Sequence, residues 1–257
     1  MNTLYTLADI KRSIAGPPRI VVYGVPGIGK TTFAASTPNP IVINIEDGLA
    51  DLDVPAFPRP ESYRDILEQV GVIATEDHDY QTLVVDSLDK LEPMLWAQVC
   101  ADGGKRNIEE FGYGKGYTAA AMEWRNLLSG FDAVRARGIA VLLVAHSIVA
   151  KVEPPETDAY DRHQLRLHKT ADALICDWAD AVLFANYKVT AIASGKDGER
   201  KRGISDGSRV FKTTERAAWR AKNRYRMPDE LPLDWAAVAP YLAKSWPAAV
   251  QQVQAKA

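Results

Sequence analysis

Gly24-Val25-Pro26-Gly27-Ile28-Gly29-Lys30-Thr31 satisfies every fixed position of the pattern G-x-x-x-x-G-K-[ST]. It follows the apolar, β-branched run Ile20 to Tyr23 and precedes Thr32-Phe33-Ala34-Ala35, which reads as the opening of a helix. A strand, a glycine loop and a helix in that order make a cradle for phosphate. Glycines at 24, 27 and 29 let the backbone curl so that its N–H groups and the positive end of the helix face negative charge. Lys30 then suits the β- and γ-phosphates of ATP, the backbone from Gly24 to Thr32 wraps them, and Thr31 supplies a hydroxyl for Mg²⁺.

Outward from the loop, two apolar runs end in acids. Ile41-Val42-Ile43-Asn44-Ile45 closes on Glu46-Asp47-Gly48, and Thr82-Leu83-Val84-Val85 closes on Asp86-Ser87. Both read as buried parallel strands. An acid about fifty residues beyond a phosphate loop suits the hydration shell of Mg²⁺, so Asp86 joins Thr31 as a metal-site candidate. Ile139 to Ala145 is a fourth buried strand, and its end at His146 lies where such sheets bind ligands.

The remainder organises around these strands. Ser62 with Asp65 three positions on reads as the cap of a helix to Val72, and Leu88 to Val99 reads as a helix. Val54 to Pro60 reads as loop. Tyr117 to Arg137 carries an apolar helical face that includes Ala120, Met122, Trp124, Leu127, Leu128, Phe131 and Val134. The intervening Asp102 to Tyr117 mixes glycine with Lys105, Arg106, Tyr113, Lys115 and Tyr117. So much glycine argues against regular helix, and mobile backbone with Lys and Tyr suits single-stranded DNA, where rings stack on bases and Lys meets phosphate. An ordinary connection with tyrosines packed on the core is the alternative. Lys151 opens a second polar stretch, to His168, read as a mobile loop that leads into a helix around Ala171 to Trp178.

Asp180 to Ala185 resumes strand. Lys188 to Ala193 and Ser208 to Thr213 read as a hairpin joined by the charged turn Gly195 to Gly207. Asp234 to Leu242 reads as a small helix, and Pro247 to Ala257 as a frayed tail. Residues 1 to 18, ending in Gly16-Pro17-Pro18, read as an extension with a short helix.

Composition narrows the class. Of the 257 residues 47% are hydrophobic, as in an ordinary globular chain, and the net charge is only −2. Lys196 to Arg226 nonetheless carries 11 Lys or Arg against 4 Asp or Glu. A basic surface for nucleic acid and a solvated charged hairpin both account for that asymmetry. Two distant cysteines, Cys100 and Cys176, suggest neither a disulfide framework nor a zinc site. With no signal-peptide profile and no apolar run long enough for a bilayer, the expectation is a soluble, cytoplasmic protein without a membrane partner.

The motif order from about residue 19 to 228 resembles the ATPase core of the RecA family, most closely its short phage-encoded members of single-strand annealing and recombination. Four segments carry the likeness: Gly24 to Thr31, Ile43-Asn44-Ile45-Glu46-Asp47-Gly48-Leu49-Ala50-Asp51, Val84-Val85-Asp86-Ser87, and Lys222-Asn223-Arg224 followed by Pro228. The resemblance implies that Glu46 polarises the attacking water. His146 stands where the family senses the γ-phosphate, and Lys222 and Arg224 reach the nucleotide of a neighbouring subunit.

It implies one RecA-like α/β domain over 1–257, with an N-terminal extension at 1–18 and a C-terminal helix and tail at 229–257. The fold would be a P-loop NTPase whose mainly parallel central sheet is flanked by helices and edged by an antiparallel hairpin. It further implies an ATP- and Mg²⁺-dependent, DNA-stimulated ATPase on single-stranded DNA, working as a homo-oligomeric ring or filament with a shared ATP site beside a single-strand-binding protein. A switch ATPase of helicase-loader or partition type, and a small-molecule kinase, are the alternatives. The basic cluster at 222–226 lacks an evident counterion in the sequence, which favours a partner outside the chain.

Overall fold

The computed structural model describes residues 10, 16–49, 52–194, 200–204 and 206–255. In chain order the elements are β1 (Arg19–Gly24), α1 (Lys30–Ala35), β2 (Pro40–Asn44), α2 (Tyr63–Thr75), β3 (Thr82–Asp86) and α3 (Leu88–Asp102). A single 3-10 turn at Ile108–Phe111 leads into α4 (Lys115–Ala136), β4 (Ala140–Val152), β5 (Tyr160–Leu165), α5 (Lys169–Trp178) and β6 (Ala181–Tyr187). The chain continues through β7 (Thr190–Ser194), β8 (Arg200–Ile204), β9 (Arg209–Lys212), β10 (Lys222–Asn223), β11 (Glu230–Pro232), α6 (Trp235–Leu242) and α7 (Ala248–Ala255).

The main sheet runs β11-β9-β6-β1-β4-β3-β2, and its five central strands from β6 to β2 are parallel. β9 and β11 extend it antiparallel beyond β6, while β10 also pairs with β6. Side chains alternate across β1 as the pleat demands. Val21 and Tyr23 enter one core layer with Ile66, Leu91, Trp124 and Phe131, and Ile20 and Val22 enter the other with Phe33, Phe211 and Trp235. Helices therefore cover both faces, α2 to α5 on one and α1 with α6 and α7 on the other. The mainly parallel α/β sheet expected of a P-loop NTPase is present.

Local chemistry accounts for several elements. Ser62 caps α2 by accepting from Asp65 N, and Asp65 returns a bond to Ser62 N, the reciprocal arrangement that satisfies two otherwise orphaned donors. Gly24 has a different duty from curling the loop. A Cβ there would sit 2.2 Å from Ala185 O, so the close approach of β1 to β6 requires glycine.

The structure corrects the sequence reading in five places. β4 does not stop at His146 but continues to Val152 and folds back through β5 as an antiparallel hairpin, Ser147 opposite Leu165 and Val152 opposite Tyr160. What read as loop is a strand pair because its residues leave the buried layer at the phosphate end and need no continuous apolar run. Second, Thr190–Ser194 pairs with Arg200–Ile204, not with Ser208–Thr213, whose Arg209–Lys212 instead lines β6.

Third, helix α4 begins at Lys115 despite the glycines around it. Gly116 permits this, since a Cβ would lie 2.3 Å from Ile108 O of the 3-10 turn packed against it. Fourth, Met122 points away from the α4 core face and is 65% exposed. Finally, the segment from Pro247 is not simply a tail. Ala249 is buried, and Trp235 Nε1 donates to its carbonyl at 3.0 Å, so α7 closes over α6. Within the stretch read as loop, Pro55 and Phe57 bond to Val42 beside β2. The expected helix within 1–18 falls mostly outside the described residues, as do Ala50 and Asp51.

Candidate nucleotide site

The parallel register sets the site. Gly24 lies opposite His146, and Val144 opposite Asp86, so the phosphate loop, the end of β3 and β4 at His146 meet at one edge of the sheet. There Pro26, Gly27, Gly29, Lys30, Thr31, Thr32, Glu46, Gly48, Asp86 and His146 line a cavity of about 450 Å³. Ligands of open parallel sheets bind at such strand ends.

Within it, Lys30 Nζ donates to Gly24 O at 3.2 Å and Val25 O at 3.0 Å. Burial lowers the pKa of Lys30, against the pull of Asp86 and Glu46. Thr31 Oγ1 donates to Asp86 Oδ2 at 2.6 Å, and burial raises the Asp86 pKa despite that bond. A hydroxyl and a carboxylate side by side at a phosphate cradle are hard oxygen donors of the kind Mg²⁺ takes, and a cation there would offset the cost of burying Asp86 charged. Thr31 and Asp86 thus fit the ion.

Glu46 follows β2, and its backbone N–H donates to Asp86 O at 3.2 Å. Its Oε2 accepts from Ser87 Oγ at 2.7 Å and lies 3.7 Å from His146 Nδ1. The carboxylate is thereby held at the cavity wall with one oxygen engaged. Glu46, Asp89 and His146 bring one ligand atom each within 4.8 Å of one another. Arg166 already occupies Asp89, so this group reads as a hydrogen-bonded chain rather than a cation site.

Sequence reasoning missed Asp89, Arg166 and Arg209. Arg209, on β9, reaches back to the loop, donating to Ile28 O at 3.3 Å. Spacing offered a signal only for Asp89, three residues beyond Asp86 at the opening of α3. Arg166 directly follows β5, which the sequence reading took as loop, and Arg209 lies on β9, which it paired with Lys188 to Ala193 instead of β6.

Lys222 and Arg224 lie elsewhere. Lys222 Nζ donates to Cys176 O at 2.9 Å and Asp177 O at 2.7 Å, carbonyls at the negative end of α5. Arg224 Nη1 bonds Asp180 Oδ1 at 3.0 Å, and Arg19 bonds the same carboxylate at 2.9 Å. Asp180 precedes β6, at the opposite end of the sheet from the phosphate loop. The expectation that this cluster lacks partners within the chain is therefore corrected.

The residues assigned to DNA divide. Lys105, Arg106 and Lys115 are exposed, and Tyr113, at a left-handed φ of 49°, is fully exposed. Tyr117 is engaged: its ring stacks on His168 with centroids 4.0 Å apart, meets Trp96 edge-on, and its hydroxyl donates to Glu109. Lys151 sits apart on the β4–β5 hairpin, ion-paired with Glu153 at 2.7 Å. Cys100 and Cys176 are buried free thiols. No helix among the described residues is long and apolar enough to cross a membrane.

Fold and site together define a P-loop nucleotide-binding protein. A family model described as an AAA domain matches residues 16–225, and the chain belongs to this family of P-loop ATPases. It finds no match among curated proteins.

Proposed function

We propose that this ATPase is stimulated by single-stranded DNA and acts in homologous recombination or strand annealing of the phage, RecA-like type. The observation that carries the hydrolytic part is the convergence of Lys30, Thr31 with Asp86, Glu46 and His146 on one cavity. Glu46 accepts the proton of the attacking water while the water oxygen bonds to the γ-phosphorus and the bond to the β-phosphate oxygen breaks. Lys30 neutralises charge on the phosphates throughout. Thr31 and Asp86 would hold Mg²⁺, which would neutralise charge on the phosphates.

For the strand, support comes from exposed Lys105, Arg106, Tyr113 and Lys115 around the start of α4, with Lys151 on the hairpin that continues β4 past His146. Tyr117 serves as the packed base of that surface. We assign the working form to a homo-oligomer, a ring or filament. Arg224 is half exposed and spends only part of its five-donor guanidinium on Asp180, which leaves donors for a neighbour's nucleotide. A single-strand-binding protein is the natural companion of such an activity.

ATP turnover measured with and without single-stranded DNA across a salt series tests this. Stimulation should fall with salt, and the combined loss of Lys105, Arg106 and Lys115 should reduce the salt slope by about 0.7 per charge removed. Tyr113→Ala should weaken binding by about 1–3 kcal/mol. Turnover indifferent to DNA at every salt would leave a switch ATPase that docks on protein. The shared site has its own test: inactive Arg224→Ala should regain turnover when mixed with inactive Lys30→Ala.

A further inference from the structure

The most heavily bonded side chain beside the cavity belongs to no nucleotide motif. Asp89, in the first turn of α3, has a side chain only 2% exposed. Its Oδ1 accepts the backbone N–H of His146 at 2.9 Å, and Oδ1 and Oδ2 lie 3.2 and 3.0 Å from His146 Nδ1. Arg166 Nη2 donates to Oδ2 at 2.7 Å, while Arg166 N donates to His146 O at 2.9 Å. His146 is thus gripped through its ring, its N–H and its carbonyl by two residues, one from a helix and one from the end of the hairpin.

The chemistry of that grip is specific. Burial pushes the Asp89 carboxyl up, but the bonds from His146 and Arg166 outweigh it and hold the group well below the usual carboxylate range. An ionised carboxylate only accepts, so its imidazole partner must carry a proton on Nδ1. Nε2 is then the ring atom left over, on a residue that lines the cavity with Lys30, Thr31 and Asp86. A buried pair serving stability alone needs only Arg166 and Asp89. Here the carboxylate also secures both the ring and the backbone of the single histidine of the cavity wall.

We propose that Asp89, seated by Arg166, is the positioning residue for His146, fixing its tautomer and place so that the imidazole discriminates ATP from ADP. This rests on the reading that the cavity takes ATP. The hairpin joins the same device, because Arg166 follows β5 directly and any displacement of the hairpin stem pulls on Asp89 and His146 together.

The test measures the affinity of the full chain for Mg·ADP and for a Mg-bound non-hydrolysable ATP analogue, in wild type, Asp89→Ala, His146→Ala and the double variant. His146 nitrogens are read in parallel by ¹⁵N NMR. Wild type should prefer the triphosphate and show the Nδ1-protonated tautomer. Each single variant should cut that preference by about tenfold with ADP affinity unchanged, and the double should be no worse than His146→Ala. The tautomer signature should be lost in Asp89→Ala. If that variant does not fold, Arg166→Ala, at a half-exposed side chain, should lower the preference by a smaller factor.

Equal losses for both nucleotides, full additivity in the double variant, or an unchanged tautomer would overturn the assignment. A wild type that binds both nucleotides without preference removes this inference alone. One that binds neither removes the ATP reading with it.

Discussion

Beyond the C-terminal ends of β1, β2 and β3, Lys30, Glu46 and Asp86 face a common cavity. At the opposite end of the sheet, beside the starts of β1 and β6, Arg19 and Arg224 close on Asp180. Both groups place charge against the sheet, but burial acts on them differently. It lowers the pKa of Lys30 and raises that of Asp86, so each loses some of its hold on charge. At the opposite end the hydrogen bond that Arg19 donates to Asp180 raises the pKa of Arg19, and although burial pushes Asp180 up, Arg19 outweighs it and holds the carboxyl low. One end is electrostatically incomplete; at the other Asp180 is matched by its arginines, although half-exposed Arg224 keeps donors to spare. Incompleteness beside a cavity is what a ligand site presents, because phosphate and a divalent cation would supply the missing partners.

Removing chemistry from the open end should have the largest effect. Glu46→Gln keeps the shape and loses the proton acceptor, so turnover should fall by about 10²–10⁴-fold while ATP still binds. Lys30→Ala should lose both binding and turnover with the circular dichroism spectrum retained. Normal hydrolysis in Glu46→Gln would leave that carboxylate as a capped strand end held by Ser87.

Breaking the closed end should cost stability instead. Asp180→Asn leaves the part-buried Arg19 with only the more exposed Asp132 as a carboxylate partner and should lower the unfolding free energy by about 1–3 kcal/mol in denaturant titrations. A loss under about 1 kcal/mol would show that the two ends are not different in kind. Filling the open end should do the reverse. Mg·ATP at a hundred times its Kd should add about 2.7 kcal/mol, absent in Lys30→Ala, and a thermal melt reads both.

Glu92 offers the smallest and most selective change. It lies one turn beyond Asp89 on the buried side of α3, where its Oε2 accepts from His168 N at 2.9 Å. Among the described residues its Oε1 has no hydrogen-bond partner. Burial pushes its pKa up to about 7. The folded form therefore binds the proton more tightly than the unfolded chain, and this group's contribution is fully present below about pH 4.5 and is lost as pH rises through 7. Glu92→Gln should stabilise the fold by about 1–3 kcal/mol at pH 8 and change little at pH 4. An equal effect at both values would place the cost in packing rather than in charge.

Much of the open end was legible in the chain because its information is local. Gly24 to Thr31, Asp86 at the close of an apolar run, Glu46 after another, and the Ser62–Asp65 cap are all statements about neighbours in sequence. The closed end was not legible, since Asp180 lies far from Arg19 in the chain and nothing near Arg224 announces its carboxylate. The polar, proline-bearing stretch around Pro154 and Pro155 hid the β4–β5 hairpin, most of whose residues lie at least partly exposed. Tyr117 looked free for the same reason, because its partner His168 arrives from the far side of β5.

By itself the amino-acid sequence determined the phosphate loop, the buried parallel strands and the acids that end them, since glycine conformation, apolar periodicity and side-chain type act over a few residues. Only the tertiary structure decided which charges remain open to a ligand and which are spent within the fold. That depends on strand order and register, which bring Asp89 to His146 and Asp180 to Arg19 and Arg224 across distances in the chain that no local pattern spans.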